Sequence, residues 1–241
     1  MLPSPVLSRS WHRTLARAGA VSAALWLAAC QSLPTPPARV TRYDLGPAPL
    51  ARSAAAPAAN PAATAVPAVV LATLQAPPQD DASTAMRYRL AYADGQVLHA
   101  YSQARWSLPP AQLVQQRLRD HLGQDGRVVL TVPPGGMAPT WRGQPLPVLQ
   151  VVLEEFGQVF TEAERSAGHV RLRASLVQPQ PEGDVLLAQQ LFSAQVPAQA
   201  ANAAAGAQAL AQSVDDIGRQ LQAWLGQVLP ARTASATALS K

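Results

Sequence analysis

Two stretches of alternating residues near the middle of the chain constrain its fold more than any other feature. Residues 148–156 and 169–177 both have strand composition, and in the second stretch apolar side chains alternate with arginine and serine. Glu154 and Glu155 stand where they would pair with those arginines across an antiparallel ladder. The alternation therefore predicts a long antiparallel pair with one face in the core and the other in water.

Two amphipathic helices are predicted to pack against the core face of this strand pair. The first is predicted to begin at Ser107 or Pro109, because proline suits a first helical turn, and to end at Gly123. The second is predicted over residues 202–228, where one apolar stripe recurs at steps of four and three residues: Leu210, Val214, Ile217, Leu221, Trp224 and Val228. A coiled-coil seam has the same spacing, but about three heptads beside so many strands favour packing on the core.

Shorter runs complete the predicted sheet. Further strands are expected at residues 40–45, 69–74, 86–92, 96–101, 128–132 and 185–196. Ala93-Asp94-Gly95 is predicted to be the turn of a hairpin between the third and fourth of these. Because strands dominate and no regular βαβ alternation is present, we predict an α+β fold. Its architecture would be a two-layer sandwich, a mostly antiparallel sheet with two helices on one face.

The single cysteine, Cys30, ends a segment with the order of a lipoprotein export signal. Arginines precede an apolar run at residues 18–29, which is shorter than the roughly 20 residues that span a bilayer. The run closes on Leu27-Ala28-Ala29-Cys30, which looks like a lipobox. An ordinary signal peptide or an uncleaved anchor is the alternative. We expect cleavage before Cys30 and a covalent diacylglycerol and N-acyl chain, such as palmitate, on that residue.

The residue after the cysteine predicts which membrane holds the protein. Bacterial lipoproteins retained in the inner membrane typically carry Asp at this position, so Gln31 favours the outer membrane and its periplasmic face. The expected organisation is a signal peptide at 1–29, a lipidated tether at 30–39, one domain at 40–229 and a disordered tail at 230–241. Within the domain, the Ala/Pro-rich segment 47–67 is predicted to be a flexible loop.

Charge and motif content argue against nucleic-acid binding and catalysis. Three arginines precede the cut, which leaves 16 basic and 14 acidic residues in the mature chain and no dense cationic cluster. No Gly-x-Ser-x-Gly, His-Glu-x-x-His or Walker motif is present. His99, His121 and His169 lack metal-ligand spacing, and Asp215-Asp216 is expected to be solvated on the polar side of the last helix. We therefore expect no enzyme activity, no metal and no cofactor beyond the acyl chains on Cys30.

Five motifs occur in an order typical of one family. Tyr43-Asp44-Leu45-Gly46 follows the lipobox, and the apolar strand at 69–74 and the basic Arg87-Tyr88-Arg89 come next. The segment Tyr101-Ser102-Gln103-Ala104-Arg105-Trp106-Ser107-Leu108-Pro109-Pro110 then leads into a helix, and Trp224-Leu225 closes the order. This resembles the auxiliary lipoproteins of ABC-type transport systems that work with MCE (mammalian cell entry) proteins, the PqiC-like group.

The resemblance covers residues 30–229 and implies a non-catalytic role. Such a protein would sit at the outer membrane, dock an MCE-domain partner of an ABC transporter and assist lipid transport between the membranes. ATP hydrolysis would belong to another subunit, and a homo-oligomer is left open. The alternative is an outer-membrane assembly or pilotin-like lipoprotein that binds a different envelope complex.

The candidate partner or family-motif residues are Tyr43, Arg105, Trp106, Pro109 and Trp141. Trp106 would either anchor an interface or pack the sheet beneath the first helix. Trp141 lies in a Gly/Pro-rich loop and is the better candidate for an exposed aromatic residue. The family usually has a short connection where this chain has residues 47–67. Whether the strand at 40–45 pairs in the sheet is therefore left open.

Overall fold

The computed structural model describes residues 39–47, 68–77, 82–124, 126–133, 136–141 and 143–229. The predictions for Cys30, for the signal peptide, for most of the tether, for residues 48–67 and for the tail lie outside these ranges. No helix within the described ranges is long and apolar enough to cross a membrane.

The described residues form ten strands and two helices. In chain order the elements are β1 (Thr41–Tyr43), β2 (Val69–Ala72), β3 (Ala85–Leu90), β4 (Asp94–Trp106), α1 (Pro110–Gly123), β5 (Val129–Val132), β6 (Thr140–Trp141), β7 (Gln144–Pro145), β8 (Val148–Glu162), β9 (Arg165–Gln178), β10 (Val185–Pro197) and α2 (Ala203–Val228). Both helices and all the strands of the predicted core are present, and the two central strands are longer than their alternation indicated.

The long strand β8 organises the sheet that eight of the described strands form. One edge of β8 pairs antiparallel with β9 along nearly its whole length, and β10 follows β9. The other edge is divided, because β2 pairs with it at Val148 and Leu149 while β3 pairs with it at residues 158–160. Beyond β3 lie β4 and β1, and beyond β2 lies β5. A separate two-stranded sheet contains β6 and β7.

The α+β class is confirmed and the longest ladders are antiparallel, but the sheet is not the plain antiparallel layer of a two-layer sandwich. The sheet is mixed and curled, since the pairs β1–β4, β2–β5, β2–β8 and β3–β8 are parallel. Alternation predicts which face of a sheet a side chain occupies. It says nothing about the neighbouring strand or its direction, because the period of two is common to parallel and antiparallel strands.

Helix α2 packs against β9 and β10, and α1 packs against α2. The N-cap of α2 is Asn202, whose side chain accepts a hydrogen bond of 2.9 Å from the backbone N–H of Ala205. The predicted stripe is the buried face of the helix. Trp224, near its end, meets the ring of Phe192 edge-on at 5.7 Å. The apolar stripe therefore packs in the core, as the sequence favoured, and does not form a coiled-coil seam.

The predicted charge pairs are present on the outer face of β8 and β9. A bulge after Leu153 inserts one extra residue, so Glu154 and Glu155 both lie on this face. Arg171 is 2.7 Å from Glu155, and Arg173 is 2.9 Å from Glu154. The inward-facing residues of β8 are odd-numbered up to Leu153 and even-numbered from Gln158, so the bulge is where the simple alternation is interrupted.

The predicted β3–β4 hairpin exists, but its turn comes earlier than expected. Residues 91–93 make the turn, while Asp94 and Gly95 belong to the returning strand. The side chain of Asp94 accepts from the backbone N–H of Gln96 at 3.2 Å, and Arg89 donates to the carbonyl of Gly95 at 3.2 Å. These contacts hold Asp94 and Gly95 in the strand. The Asp-Gly pair is therefore not the turn itself.

Candidate functional site

The amino-terminal strand is integrated into the sheet. Strand β1 pairs in parallel with the end of β4, with Tyr43 opposite Trp106. The carbonyl of Tyr43 accepts a hydrogen bond of 2.7 Å from the backbone N–H of Ser107. This pairing answers the question that the sequence left open about residues 40–45.

Trp106 lies in the core beneath this pairing. It is 1% exposed, and its ring meets Phe156 edge-on at 5.3 Å. Its backbone N–H donates to the carbonyl of Thr84 at 2.8 Å, which ties the end of β4 to the start of β3. An indole so deeply buried contributes packing at this position and leaves almost no surface for a partner.

Arg105 and Pro109 shape the passage from β4 into α1. The Arg105 guanidinium folds back along its own strand and donates to the carbonyls of Tyr101 and Ala104. Pro109 occupies the N-cap of α1, and its carbonyl accepts from the backbone N–H of Gln112 at 2.9 Å. The two residues therefore stabilise the backbone of the connection between β4 and α1.

A buried arginine then holds the chain that leaves β1. Arg117, on the inner face of α1, is 7% exposed. Its guanidinium donates to three successive carbonyls, those of Leu45 at 3.1 Å, Gly46 at 3.3 Å and Pro47 at 2.6 Å. Gly46 permits this course because its φ is +72°, a value that glycine adopts without strain. One side chain on α1 therefore secures the segment that follows β1.

The same arginine also binds the second helix. Its Nε lies 2.6 Å from Oδ1 of Asp215 on α2, and its Nη2 lies 3.2 Å from Oδ2. Nε2 of His121 lies 2.8 Å from the same Oδ1. We call the set Leu45, Gly46, Pro47, Arg117, His121 and Asp215 the Arg117 junction. It joins the amino-terminal segment, α1 and α2 at one point.

Small residues make room for these polar groups between the helices. Gly218 of α2 lies against the His121 ring, where an added Cβ would come within 2.6 Å of Cγ. Burial raises the pKa of Asp215, but hydrogen bonds from His121 and Arg117, together with their charges, lower it more. The net pKa lies below its usual 3.8. The carboxylate is therefore held in its charged form at neutral pH.

The polar groups of the Arg117 junction bind one another and the backbone of the same chain. Every Arg117 nitrogen is bound to a protein acceptor, so the guanidinium holds the chain itself and offers no donor to a ligand. Beside it lies an open groove of about 270 Å³, lined in part by Asp44, Leu108 and Asp120. Within the described ranges, no group of three or more His, Cys, Asp or Glu residues is placed to hold a metal.

Four of the five candidate partner or family-motif residues lie close together in the fold, and the fifth lies in another part of it. Tyr43, Arg105, Trp106 and Pro109 lie along the β1–β4–α1 passage, which leads into the Arg117 junction. Trp141 is 62% exposed and belongs to the separate β6–β7 sheet. The lipidation site lies outside the described residues.

Sequence reasoning missed Arg117, His121 and Asp215, and the expectation that Asp215 is solvated was wrong. Its side chain is 18% exposed and ion-paired, whereas that of Asp216 is 39% exposed and pairs with Arg219 on the helix surface. One signal was available. Arg117 and His121 stand three and seven residues after Val114, on the apolar stripe of α1, and charged side chains are rarely buried there without a partner.

Comparisons with known proteins agree on one family and one fold. A family model described as "ABC-type transport auxiliary lipoprotein component" matches residues 43–222, or 180 of the 241 residues. A crystal structure from Xanthomonas campestris, assigned to the family DUF330, has 19% identity and a TM-score of 0.54. It covers 70% of this chain and 91% of its own. A crystal structure titled only as an uncharacterized protein has 13% identity and a TM-score of 0.55, and covers 78% and 99%.

The two structural likenesses are at low identity and show a shared fold alone. A search of curated proteins produced no match. The family match begins at Tyr43, the first candidate residue, and ends within α2. It therefore includes Arg117, His121 and Asp215, all of α1, and α2 as far as residue 222. It also includes β4 and the last residue of β1.

Proposed function

Because the chain belongs to the family of ABC-type transport auxiliary lipoprotein components, we propose that it docks the MCE-domain subunit of an ABC transporter at the outer membrane. It would be a non-catalytic periplasmic lipoprotein, anchored by acyl chains on Cys30, in a route that moves lipid between the two membranes. Nucleotide hydrolysis would take place on a separate subunit.

The observation that carries the docking role is the integration of β1 into the fold. With Thr41–Tyr43 paired and residues 45–47 bound by Arg117, only residues 31–39 separate the lipidated cysteine from the domain. Nine extended residues reach about 28 Å at about 3.1 Å each. The domain would stay near its membrane, so a partner from the inner membrane would have to come to it. Such a short reach suits docking and does not suit shuttling.

Affinity purification from intact envelopes tests this function. We expect the tagged, lipidated protein, cross-linked in cells and purified, to recover an MCE-domain protein and its ABC transporter subunits by mass spectrometry. A matched sample from cells carrying the tag on an unrelated outer-membrane lipoprotein serves as the control. Recovery of a secretion or assembly complex in place of the transporter would support the pilotin-like alternative and contradict the proposal.

A further inference from the structure

Strand β10 is a long free edge of the large sheet. Residues 185–197 pair with β9 on one side, and none of the described residues pairs with the other side. The sheet's other two terminal strands are β1, with three residues, and β5, with four, whereas β10 has thirteen. Strand β1 covers only residues 104–106 of β4, so residues 94–103 of β4 form a second unpaired edge among the described residues, but that edge carries the charged residue Asp94. Very short edges are one of the ways by which proteins avoid unwanted strand pairing. Strand β10 is too long to be protected in this way.

The composition of β10 adds no protection either. Its sequence contains no charged residue, and its proline is the last residue, Pro197. The ladder with β9 is irregular only between Leu186 and Ala188, so ten residues up to Pro197 form a regular edge. Natural edge strands are usually blunted by lysine, by an inner proline or by a strong bulge. An edge this long and neutral is suited to receiving another strand.

Exposed apolar side chains border this edge. Val185, Leu186, Leu187 and Leu191 are 44, 57, 47 and 45% exposed. Leu191 stands in a row with Arg173 of β9 and Val152 of β8, and Val152 is itself 37% exposed. The outer face beside β10 therefore presents apolar surface next to unpaired backbone groups.

We propose, as an extension of the function above on which it rests, that β10 is the docking edge for the transporter. An extended, uncharged segment of the MCE-domain subunit would add to β10 as a further strand. Its backbone would pair along the edge, and alternate side chains would lie on Leu187 and Leu191. The acids nearest on that face, Glu154 and Glu155, are already paired with arginines, so a basic side chain on the segment would find no free carboxylate there.

The area of the edge favours a linear segment over a second copy of the chain. Thirteen residues at about 3.4 Å each make an edge about 44 Å long, and a sheet is about 10 Å thick. The strip is then about 440 Å² per partner, against about 800 Å² in a stable interface between folded proteins. A second copy that touched only the edge would bury too little, whereas an extended segment gains hydrogen bonds along its whole length.

A charge placed on the edge tests the proposal against a matched control. Leu191→Lys puts an ammonium beside the edge at an exposed site, and Leu98→Lys makes the same change on β4, where the leucine is 40% exposed. Both variants are first checked for folding by circular dichroism. We expect Leu191→Lys to reduce recovery of the MCE-domain subunit from cross-linked envelopes at least about tenfold. We expect Leu98→Lys to leave recovery unchanged.

A photo-cross-linking residue locates the contact even if Leu191→Lys unfolds. Ser193 on β10 and Ser102 on β4 are both exposed, and each is replaced in turn by p-benzoylphenylalanine. We expect Ser193 to cross-link to one short stretch of the MCE-domain subunit, mapped by mass spectrometry, and Ser102 to give no such product. A cross-link from Ser193 to a second copy of this chain would overturn the proposal, as would unchanged recovery with folded Leu191→Lys. If the unmodified protein recovers no MCE-domain subunit, the proposed function fails and this inference fails with it.

Discussion

At the scale of single residues, the Arg117 junction is the most interdependent part of the molecule. One guanidinium serves three backbone carbonyls and one carboxylate, and these acceptors belong to segments far apart in the chain. Removing one partner from such a set leaves the others buried and unpaired, which costs more than the loss of a single surface pair.

Asp215→Asn should lower the free energy of unfolding by about 2 kcal/mol at pH 7, because a charged acceptor of Arg117 and His121 is lost. The pKa of Asp215 is lowered in the folded state, so its stabilisation is present above the ordinary value of 3.8 and is lost as pH falls below it. The difference from the unmodified protein should therefore shrink below about pH 4. Urea unfolding at several pH values measures this.

The neighbouring Asp216→Asn is the matched control for that experiment. Asp216 lies on the same helix with its side chain 39% exposed, so its loss should change stability by no more than about 0.5 kcal/mol. Equal effects of the two substitutions would show that Asp215 is as solvated as the sequence pattern suggested.

Cys30→Ser should leave an unlipidated precursor and abolish membrane retention, because the acyl chains supply the attachment. Labelling with palmitate and membrane flotation measure both effects. Gln31→Asp is the matched variant, since it should keep the label while moving the protein to the inner membrane. Normal outer-membrane fractionation of Cys30→Ser would contradict the lipoprotein interpretation.

At the scale of elements, α2 shows how closely a helix can approach a sheet. Gly206 faces the buried Gln158 of β8, and an added Cβ would lie 2.0 Å from Oε1 of that side chain. Gln158 cannot easily yield, because it accepts from the Tyr101 hydroxyl at 2.9 Å and donates to Ser166 at 2.7 Å. Burial, with the nearby Tyr88, raises the pKa of Tyr101 to about 12, so its hydroxyl remains a donor.

Two glycines on α2 should respond in opposite directions to the same change. Gly226→Ala adds a Cβ into open space and should raise stability by about 0.5–1 kcal/mol, since alanine favours the helix. Gly206→Ala gains the same propensity but displaces Gln158 from its hydrogen bonds, so we expect a net loss of at least about 1 kcal/mol. Thermal unfolding of the pair measures the difference. A stabilised Gly206→Ala would mean that the helix stands further from the sheet.

At the scale of the whole molecule, strand β1 and the residues that follow it as far as Pro47 are part of the domain. Strand β1 contributes three residues to the sheet, and the carbonyls of residues 45–47 are bound by Arg117. If Cys30 carries the proposed acyl chains, the attachment of this short strand would limit the distance between membrane and domain, and the protein would act only near its own membrane.

Limited proteolysis of the mature protein tests this attachment. The Ala/Pro-rich composition of residues 48–66 predicts cleavage there, and the piece containing β1 should stay bound to the domain after the cut. Size-exclusion chromatography followed by mass spectrometry detects the bound piece. Arg117→Ala should release it, because the remaining three-residue pairing is short. Release from the unmodified protein would imply a long tether and favour shuttling over docking.

Local patterns in the sequence determined much of this protein. The alternation in β9, the apolar stripe of α2 and the family motifs from Tyr43 onward depend on neighbours a few residues apart, so they can be read without a fold. The pairing of Glu154 and Glu155 with the arginines of β9 was also predictable. The antiparallel pairing of the two strands was enough to predict this contact in outline, whereas the bulge after Leu153 that places both glutamates on one face was not predicted.

Tertiary structure alone decided the remainder. The parallel pairing of β2 and β3 with β8 depends on which edge of a long strand is free, and no periodicity records that. Arg117 meets Pro47 across 70 residues and Asp215 across 98. The position of Arg117 on the apolar stripe of α1 indicates that it needs a partner, but no local pattern identifies that partner. The energy of the contact arises only when three separate segments are packed together and water is excluded from their polar groups.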